Sequence, residues 1–268
     1  PAPPVRKVHL LGPMIPSALV DHLQDQILNP EFLIRFGAVY VNHIRCSEPE
    51  TLVSSADVIR VHVEPRRYPL NRESLRQRVV HEDEHFVVID KPSGLPMHAT
   101  LDNLHENLIA GFDGHYLLTH RLDVPTSGLV VLAKTKTFQS RFNILVMNRG
   151  VEKTYYALVR KPMELGILKH YIKNSDKAPK EIGTEAPDSQ WQESLLEILE
   201  CQKVGLDAYR LHIRLITGRT HQIRAQLGFM KNPILGDEMY GGEFSETFGL
   251  HAYTLKFECP LRKQGFHF

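Results

Sequence analysis

One stretch constrains the fold of this chain more than any other, the HRLDVPTSGLVVLAKT segment at residues 120–135. Asp123 follows Arg121 by two positions among turn-forming residues, and a run of β-branched and aliphatic residues begins directly afterwards. That run predicts a buried strand, so the carboxylate of Asp123 is expected on a fixed loop at the end of the strand. Such a place suits a nucleophile or a general base. One alternative stays open, in which Asp123 only closes an Asx turn.

The cysteine, histidine and charge patterns exclude several classes of protein. The three cysteines are an odd number and are widely spaced, which argues against a disulfide framework and against zinc sites built from cysteine pairs. We therefore expect a reducing compartment. The histidines lack the spacing of metal ligands, so we expect no metal. A net charge of +1 does not by itself indicate a nucleic-acid binder.

The start of the chain, PAPPVRKVHLLG, contains neither a methionine nor the apolar core of a signal peptide. We expect a truncated N-terminus, which leaves both the cytoplasm and an organelle open as the compartment. No apolar run approaches the roughly 18 residues that span a bilayer, so we expect no membrane segment.

The proline-rich stretch PRRYP at residues 65–69 predicts a linker between two domains. We expect a small α/β module over residues 1–66 and a larger domain over residues 67–268. In the module, the apolar spacing predicts a helix over residues 17–28, capped by Ser17, and a strand over residues 57–63. The cluster Arg66, Arg67, Arg72, Arg76 and Arg78 is either a solvated linker or a contributor to the choice of a partner.

Elements of the larger domain do not alternate regularly between helix and strand. Strands are expected at residues 85–90, 151–160, 195–199 and 209–215, and an amphipathic helix at residues 136–150 that ends at Gly150. Residues 174–190 are polar and predict an exposed loop. This order favours an α+β fold with a mixed, mostly antiparallel sheet over a doubly wound fold.

A second candidate site lies in LITGRTHQIRAQLG, residues 215–228. Thr220 is a suitable helix cap, and the helical spacing places His221, Arg224 and Gly228 on one face. A buried Arg224 would need an anionic partner, because an unpaired buried charge is costly, and Asp123 would serve. An exposed helix arginine is the alternative.

Tyr155 lies in a predicted strand, VEKTYYALVR, with Lys153 on the same side. A tyrosine there is either core packing or a flat surface on which a base stacks.

Five sequence blocks together resemble the RluA family of RNA pseudouridine synthases. HRLDVPTSGL is similar to the family's HRLD motif, IDKPSGLPMH to its DKP loop, and KTYYALV to its K-x-Y-x-A segment. TGRTHQIR with NPILGDEMYGG, and then LHAYTLKFECP, follow in the family's order. The blocks run over residues 86–260, which makes coincidence remote.

The resemblance implies the pseudouridine-synthase fold, in which a mixed sheet carries a central catalytic cleft. It also implies that Asp123 is the catalytic residue, that Arg224 pairs with it and that Tyr155 packs on the target base. Arg121 is expected to fill the space of a flipped-out uridine, and Leu250 to pack under the uracil. The further side chains expected to contact substrate or RNA are Lys91, His98, His120, Thr126, Lys153, Arg219 and His221.

The activity implied is the isomerisation of uridine in rRNA or tRNA to pseudouridine on a flipped-out base, without a cofactor. We expect a monomer that binds RNA and neither a metal nor a membrane. The rival hypothesis is an RNA-binding or assembly factor that has kept the fold and lost the chemistry. A hydrolase with Asp123 as nucleophile would need a second placed carboxylate, which the sequence does not offer.

Residues 17–65 resemble an S4-type RNA-binding module. IRFGAVYVNHIR and SADVIRVHV stand where that module has its G-x-V-x-VNG and GD-x-I-x-V segments. His43 and Ala56 each replace a glycine of the pattern, so the module is interpreted as degenerate. In the larger domain, Ala99 and the pair Ala225-Gln226 also depart from the family pattern, away from Asp123, Tyr155 and Arg224.

Overall fold

A computed structural model describes residues 6–268. The first five residues of the N-terminal stretch, on which the expectation of truncation partly rests, lie outside the described residues. In chain order the elements are β1 Lys7–Leu11, β2 Ser17–Ala18, α1 Leu19–Gln24, α2 Pro30–Arg35, β3 Val39–Val41, β4 Ile44–Cys46, β5 Leu52–Val53, β6 Val58–His62, α3 Arg72–Arg76, β7 Val79–Glu82, β8 Phe86–Lys91, α4 Leu108–Gly111, β9 Leu117–Leu118, β10 Ser127–Ala133, α5 Lys136–Met147, β11 Val151–Val159, β12 Gly166–Lys173, β13 Ile182–Gly183, β14 Trp191–Gly205, β15 Ala208–Leu215, α6 Gln222–Phe229, a 3₁₀ helix Glu238–Tyr240, β16 Leu250–Glu258 and β17 Gly265–His267.

The described chain divides into two compact units. The small unit comprises residues 6–72 and 95–114, and the large unit comprises residues 73–94 and 115–268. The functional boundary predicted after residue 66 stays a prediction. No helix in the described part of the chain is long and apolar enough to cross a membrane.

In the small unit, four strands form an antiparallel sheet in the order β1-β6-β3-β4. One face of this sheet packs on α1 and α2 through apolar side chains that include Leu23, Ile34, Val39 and Val61. The predicted strand at 57–63 is confirmed as β6. The predicted helix cap is wrong, because Ser17 pairs with Val53 in a short ladder and α1 begins after Ala18.

The large unit is built on one extended sheet, which confirms the α+β prediction. Its order is β13-β12-β14-β15-β11-β16-β10-β8-β7, with β17 beside β16 and β9 beside β10. Within residues 73–94 and 115–268, the pairs are antiparallel except for β10 and β16, which run parallel. The predicted strand pair at 195–199 and 209–215 is confirmed as the longer hairpin of β14 and β15. The polar segment 174–190 is mostly exposed and contains the short strand β13.

The aromatic core of the large unit fixes α5 against the sheet. The rings of Phe86 and Phe138 stack at 5.0 Å, and Phe142 meets Phe257 edge-on at 5.0 Å. The predicted end of this helix needs a correction. Arg149, not Gly150, adopts the left-handed conformation, with φ 58°, and α5 ends at Met147.

Candidate active site

The Asp123 loop is fixed at its C-terminal end by the parallel pairing of β10 with β16. Ser127 lies opposite His251 and hydrogen-bonds its Nδ1 at 2.9 Å, and Gly128 lies opposite Ala252. Gly128 has φ 111°, and a Cβ atom there would collide with the backbone of Ala252. Only glycine allows the two strands to approach this closely in this conformation. The exit of the loop is therefore set by the sheet.

The DKPSG segment after β8 holds the same loop from its other side. The backbone carbonyl of Val124 accepts hydrogen bonds from the Gly94 amide at 2.9 Å and from the Lys91 ammonium at 3.2 Å. The Ser93 hydroxyl donates to the carbonyl of Pro125 at 2.6 Å. These bonds make the proline-glycine segment a clamp on the Asp123 loop.

Lys91 is completely buried. Its ammonium group also donates to the Pro92 carbonyl at 2.9 Å. Burial lowers the pKa of Lys91 to about 7, while the negative charges of Asp123 and Asp90 act to raise it. The side chain is thus placed to hold the loop by backbone carbonyls rather than to meet RNA at the surface.

Helix α6 places Arg224 in the interior of the large unit. The predicted cap at Thr220 is wrong, because His221 is the N-cap residue, with φ 57°, and makes no side-chain cap bond. Every side chain from Gln222 to Leu227 is buried. Gln222 and Gln226 satisfy the surrounding backbone, with bonds to the carbonyls of Leu195 at 3.0 Å and Ser194 at 3.2 Å.

Arg224 joins two carboxylates. Its Nε and Nη2 atoms donate to the two oxygens of Asp237, each at 2.8 Å, and its Nη1 donates to Oδ2 of Asp123 at 3.1 Å. The side chains of Arg224 and Asp237 are 5% and 1% exposed, whereas that of Asp123 is 22% exposed. Although burial acts to lower the pKa of Arg224, the bonds from Asp237 and the charge of Asp123 raise it overall. The predicted pairing of Arg224 with Asp123 is present in the structure, and the guanidinium is permanently charged.

Sequence reasoning missed Asp237 as a functional residue. It lies in the GDEMYGG block directly before the 3₁₀ helix, where the motif was noted without a role for its acid. The signal that could have found it is the requirement of a buried arginine for more than one acceptor, since a guanidinium has five donors. Asp237 supplies the two-pronged partner that fixes the orientation of Arg224 toward Asp123.

His221 contacts the other oxygen of Asp123. Its Nε2 atom lies 3.8 Å from Oδ1, and its Nδ1 atom lies 3.0 Å from the hydroxyl of Tyr240. The Tyr240 hydroxyl oxygen also accepts a hydrogen bond from the backbone amide of Lys180 at 2.9 Å. The hydroxyl hydrogen is therefore available to bond Nδ1 of His221. With that bond made, the Nε2–H group of a neutral His221 points at Asp123. Burial lowers the pKa of His221, which favours this neutral form.

Tyr155 lies on β11 between Ile213 of β15 and Ala252 of β16. The side chain is buried, and burial together with the charge of Asp123 raises its pKa. The Asp123 carboxylate therefore lies within electrostatic range of the Tyr155 hydroxyl. Lys153 lies two residues earlier, and burial lowers the pKa of its ammonium, which lies close to Gly218.

His120 is held by the backbone. Its Nε2 atom accepts the amide of Val131 at 3.2 Å, which requires that this nitrogen carry no proton. Burial, with a smaller effect of the Lys153 charge, lowers the pKa of His120 to about 3. The neutral imidazole of His120, hydrogen-bonded to a strand amide, supports the Asp123 loop. Because it is uncharged, it offers no positive charge to attract a phosphate group.

The remaining predicted residues differ in their surroundings. Arg121 and Arg219 are exposed, and Arg219 donates to the Glu193 carbonyl at 3.3 Å. Thr126 is buried, and its hydroxyl has no hydrogen-bond partner among residues 6–268. Leu250 is buried at the start of β16, opposite Ala157. His98 is exposed in the small unit. No group of three metal-ligating side chains occurs among the described residues.

Comparison with known proteins gives a consistent result. A model of the RNA pseudouridylate synthase family matches residues 85–228. The chain is 33% identical over 261 residues to RNA pseudouridine synthase 6, chloroplastic, of Oryza sativa subsp. japonica, covering 84% of this chain and 54% of the relative. It is 30% identical over 270 residues to ribosomal large subunit pseudouridine synthase D of Vibrio cholerae, covering 87% of this chain and 79% of the relative.

A solved structure shows the same fold. Human RNA pseudouridylate synthase domain containing 1 is 22% identical, with a TM-score of 0.60 over 75% of this chain and 85% of that chain. The chain spans about half the length of the two plant relatives it matches, 54% of the one from rice and 47% of the one from Arabidopsis thaliana.

Proposed function

Because this chain belongs to the RNA pseudouridylate synthase family, we propose that it isomerises specific uridines in RNA to pseudouridine, with Asp123 as the catalytic nucleophile. The observation that carries this proposal is the arrangement of Asp123, Arg224 and Asp237. A partly exposed carboxylate is hydrogen-bonded by an arginine whose orientation is fixed by a second, fully buried carboxylate.

The reaction needs one ionised carboxylate and no cofactor. The bond between N1 of uracil and C1′ of ribose breaks, the base turns, and a bond forms between C5 and C1′. A proton leaves C5 and N1 gains one, so that the product is an isomer of the substrate. Asp123 either bonds covalently to C1′ or stabilises the positive charge that develops on the sugar. Both routes require a negative Asp123, which the adjacent guanidinium of Arg224 stabilises.

The target uridine must leave its stack, which costs a few kcal/mol. We propose that Tyr155 packs on the extruded uracil, since its side chain lies within electrostatic range of the Asp123 carboxylate. The exposed Arg121, two residues before Asp123, is placed to fill the space that the base leaves. Leu250 is proposed to pack under the uracil from the start of β16.

The RNA is proposed to be ribosomal or transfer RNA, bound by a monomer. The name of the Vibrio relative, a ribosomal large subunit enzyme, supports ribosomal RNA. The names of the two plant relatives support an organelle as the compartment. Residues 1–66 are proposed to bind RNA and residues 67–268 to catalyse. Thr126, Lys153, Arg219, His221 and His98 are retained as proposed contacts to the substrate.

The decisive test is to incubate the protein with unmodified RNA and to map pseudouridine. We expect product with the natural sequence and with Asp176→Asn, which changes an exposed aspartate of the same large unit. We expect none with Asp123→Asn. That variant should still bind RNA, with an affinity that falls as salt rises because phosphate contacts are screened.

Two outcomes would contradict the proposal. Equal product from Asp123→Asn would remove Asp123 from the chemistry. Absence of product on any cellular RNA, with binding intact, would favour the rival function of a silent RNA-binding factor.

A further inference from the structure

The small unit has a second sheet face, opposite the one that packs on its helices. Strand alternation sends Val39, Ile59 and Val61 into the apolar core. The alternate residues lie on the second face. A cross-strand row of His9, Arg60, Tyr40 and Arg45 crosses all four strands, and Lys7 lies opposite His62 in the next row.

Two guanidinium groups of this face lie over one tyrosine ring. The Cζ atoms of Arg60 and Arg45 are 4.3 and 5.4 Å from the centroid of Tyr40. Arg45 also donates to the Tyr40 hydroxyl at 2.8 Å and to the carbonyl of Thr100, which explains its position. Arg60 forms neither an ion pair nor a hydrogen bond with its side chain among residues 6–268, and its Nε atom is buried.

His62 is the second unsatisfied group of the same face. It is 5% exposed, and neither of its ring nitrogens has a hydrogen-bond partner among the residues that the structure describes. Leaving a buried donor or acceptor unpaired costs about 1–3 kcal/mol. Among residues 6–268, these nitrogens of an imidazole and a guanidinium are therefore left unsatisfied on one face. Because they are buried, a ligand reaches this face through Lys7 and the accessible part of Arg60 instead.

The charge of this face is unbalanced. Burial lowers the pKa of His62 and the charge of Arg60 lowers it further, as do those of Lys7 and Arg45, so all three cations lie within electrostatic range of the ring. Asp102 is the carboxylate that opposes them, and its oxygens already accept the Arg66 amide at 2.9 Å and the Thr100 hydroxyl at 2.9 Å. Three positive charges against one negative charge leave two in excess.

We propose that this face, formed by Lys7 and Arg60 beside Tyr40 and Arg45, binds the phosphate backbone of single-stranded RNA. The identity of the anion rests on the proposed function, since a uridine-modifying enzyme meets RNA as its substrate. The charge excess complements a polymer of phosphodiesters, whose oxygens accept hydrogen bonds from ammonium and guanidinium groups. The site lies on the sheet, on the side away from α1 and α2.

The test measures RNA affinity of the full chain carrying Asp123→Asn, so that the RNA is not converted. The probe is fluorescein-labelled oligouridylate of roughly 20 nucleotides, followed by anisotropy over a range of salt concentrations. Each lost phosphate contact should reduce the salt slope by about 0.7 and weaken binding about 5-fold at about 0.1 M salt. We expect these changes for Lys7→Gln and for Arg60→Gln. For the double variant we expect a slope change of about 1.4 and a loss of affinity of about 25-fold.

The matched control is Arg35→Gln. Arg35 is an exposed arginine of the same unit on α2, paired with Glu31 at 3.0 Å, and its loss should leave the slope unchanged. Urea unfolding shows whether Arg60→Gln still folds. If it does not, Lys7→Gln decides alone, because Lys7 is exposed and supports no packing.

Unchanged affinity and slope in folded Lys7→Gln and Arg60→Gln would overturn the proposal. So would displacement of the oligouridylate by millimolar inorganic phosphate, which would indicate a site for a small free anion. The proposed function fails separately. It fails if the natural sequence forms no pseudouridine, whatever the variants bind, and this inference fails if pseudouridine forms while the variants bind like the parent.

Discussion

Asp237 fixes Arg224 by two hydrogen bonds of 2.8 Å, one to each carboxylate oxygen. The guanidinium then has a single remaining terminal nitrogen, Nη1, directed at Asp123. A bidentate pair of this kind is both strong and directional. The position of Asp123, the proposed nucleophile, therefore depends on a residue that is itself buried.

Asp237→Asn should reduce both stability and turnover. The variant loses one charged acceptor from a buried pair, and we expect the free energy of unfolding to fall by roughly 2–3 kcal/mol. Misplacement of Arg224 should lower kcat by about 10²-fold with a smaller change in KM. Urea unfolding and steady-state kinetics measure the two effects. Glu243→Gln, which breaks an exposed pair with Arg160, is the control and should change neither. A normal kcat in folded Asp237→Asn would contradict the role of Asp237.

Lys91 should make stability depend on pH. Its pKa is about 7 in the folded protein, against about 10.4 in an unfolded chain. The unfolded state therefore binds more protons between these values, so the contribution of Lys91 to stability rises as pH increases from about 7 to about 10.4. Between pH 6 and pH 9 the gain is roughly 2–3 kcal/mol.

The matched variant for this effect is Lys91→Met, which keeps an unbranched side chain one atom shorter and removes the titrating group. The difference in unfolding free energy, natural protein minus variant, should increase from pH 6 to pH 9 in urea titrations. A constant difference would show that Lys91 stays protonated throughout that interval.

His120 should make stability depend on pH in the acid range, whereas Lys91 does so in the alkaline range. Its pKa is about 3 in the folded protein, against about 6.5 in an unfolded chain. Its contribution is complete above pH 6.5 and is lost as the pH falls toward 3, because the unfolded state takes up the proton first. His120→Gln keeps an acceptor for the Val131 amide. In this variant the unfolding free energy should depend less on pH below about 6.5, and it should be only slightly reduced at pH 7. His120→Ala should lose about 1–3 kcal/mol at pH 7 as well, because the amide is left unpaired. Equal acid limbs in all three proteins would refute the neutral, backbone-bonded histidine.

Gly128→Ala should separate steric contact from backbone strain. Gly128 and Gly166 both have positive φ angles, 111° and 124°. A Cβ atom on Gly128 would collide with the Ala252 backbone, whereas one on Gly166 would meet no atom within 4 Å. Gly166→Ala should therefore cost only strain, about 1–3 kcal/mol, and leave kcat intact. Gly128→Ala should cost more and lower kcat, because the Asp123 loop exits through that contact. Equal losses in the two variants would exclude a special role for the β10–β16 contact.

Local patterns in the sequence predict most of the elements and half of the site. The strands at 57–63, 85–90 and 151–160 are correct because alternation and short apolar runs follow from burial on a sheet. Helix ends were less predictable, as Ser17 and Thr220 show. Both residues have side chains that commonly cap helices. Ser17 instead pairs with Val53 in a β-ladder, and His221 rather than Thr220 is the N-cap residue of α6. Such outcomes depend on tertiary contacts rather than on local propensity.

The sequence by itself determined the fold class and the family, and it predicted roles for Asp123, Arg224 and Tyr155, because these depend on residue types in a fixed order along the chain. Only the tertiary structure decided which groups meet. It brings Asp237 behind Arg224 and His221 beside Asp123, and it buries Lys91 against the carbonyl of Val124. Within residues 6–268, it also leaves Nε of Arg60 and both ring nitrogens of His62 without a hydrogen-bond partner. The physical reason is that hydrogen bonds and ion pairs act over about 3 Å between side chains far apart in the chain, and no local pattern encodes that distance.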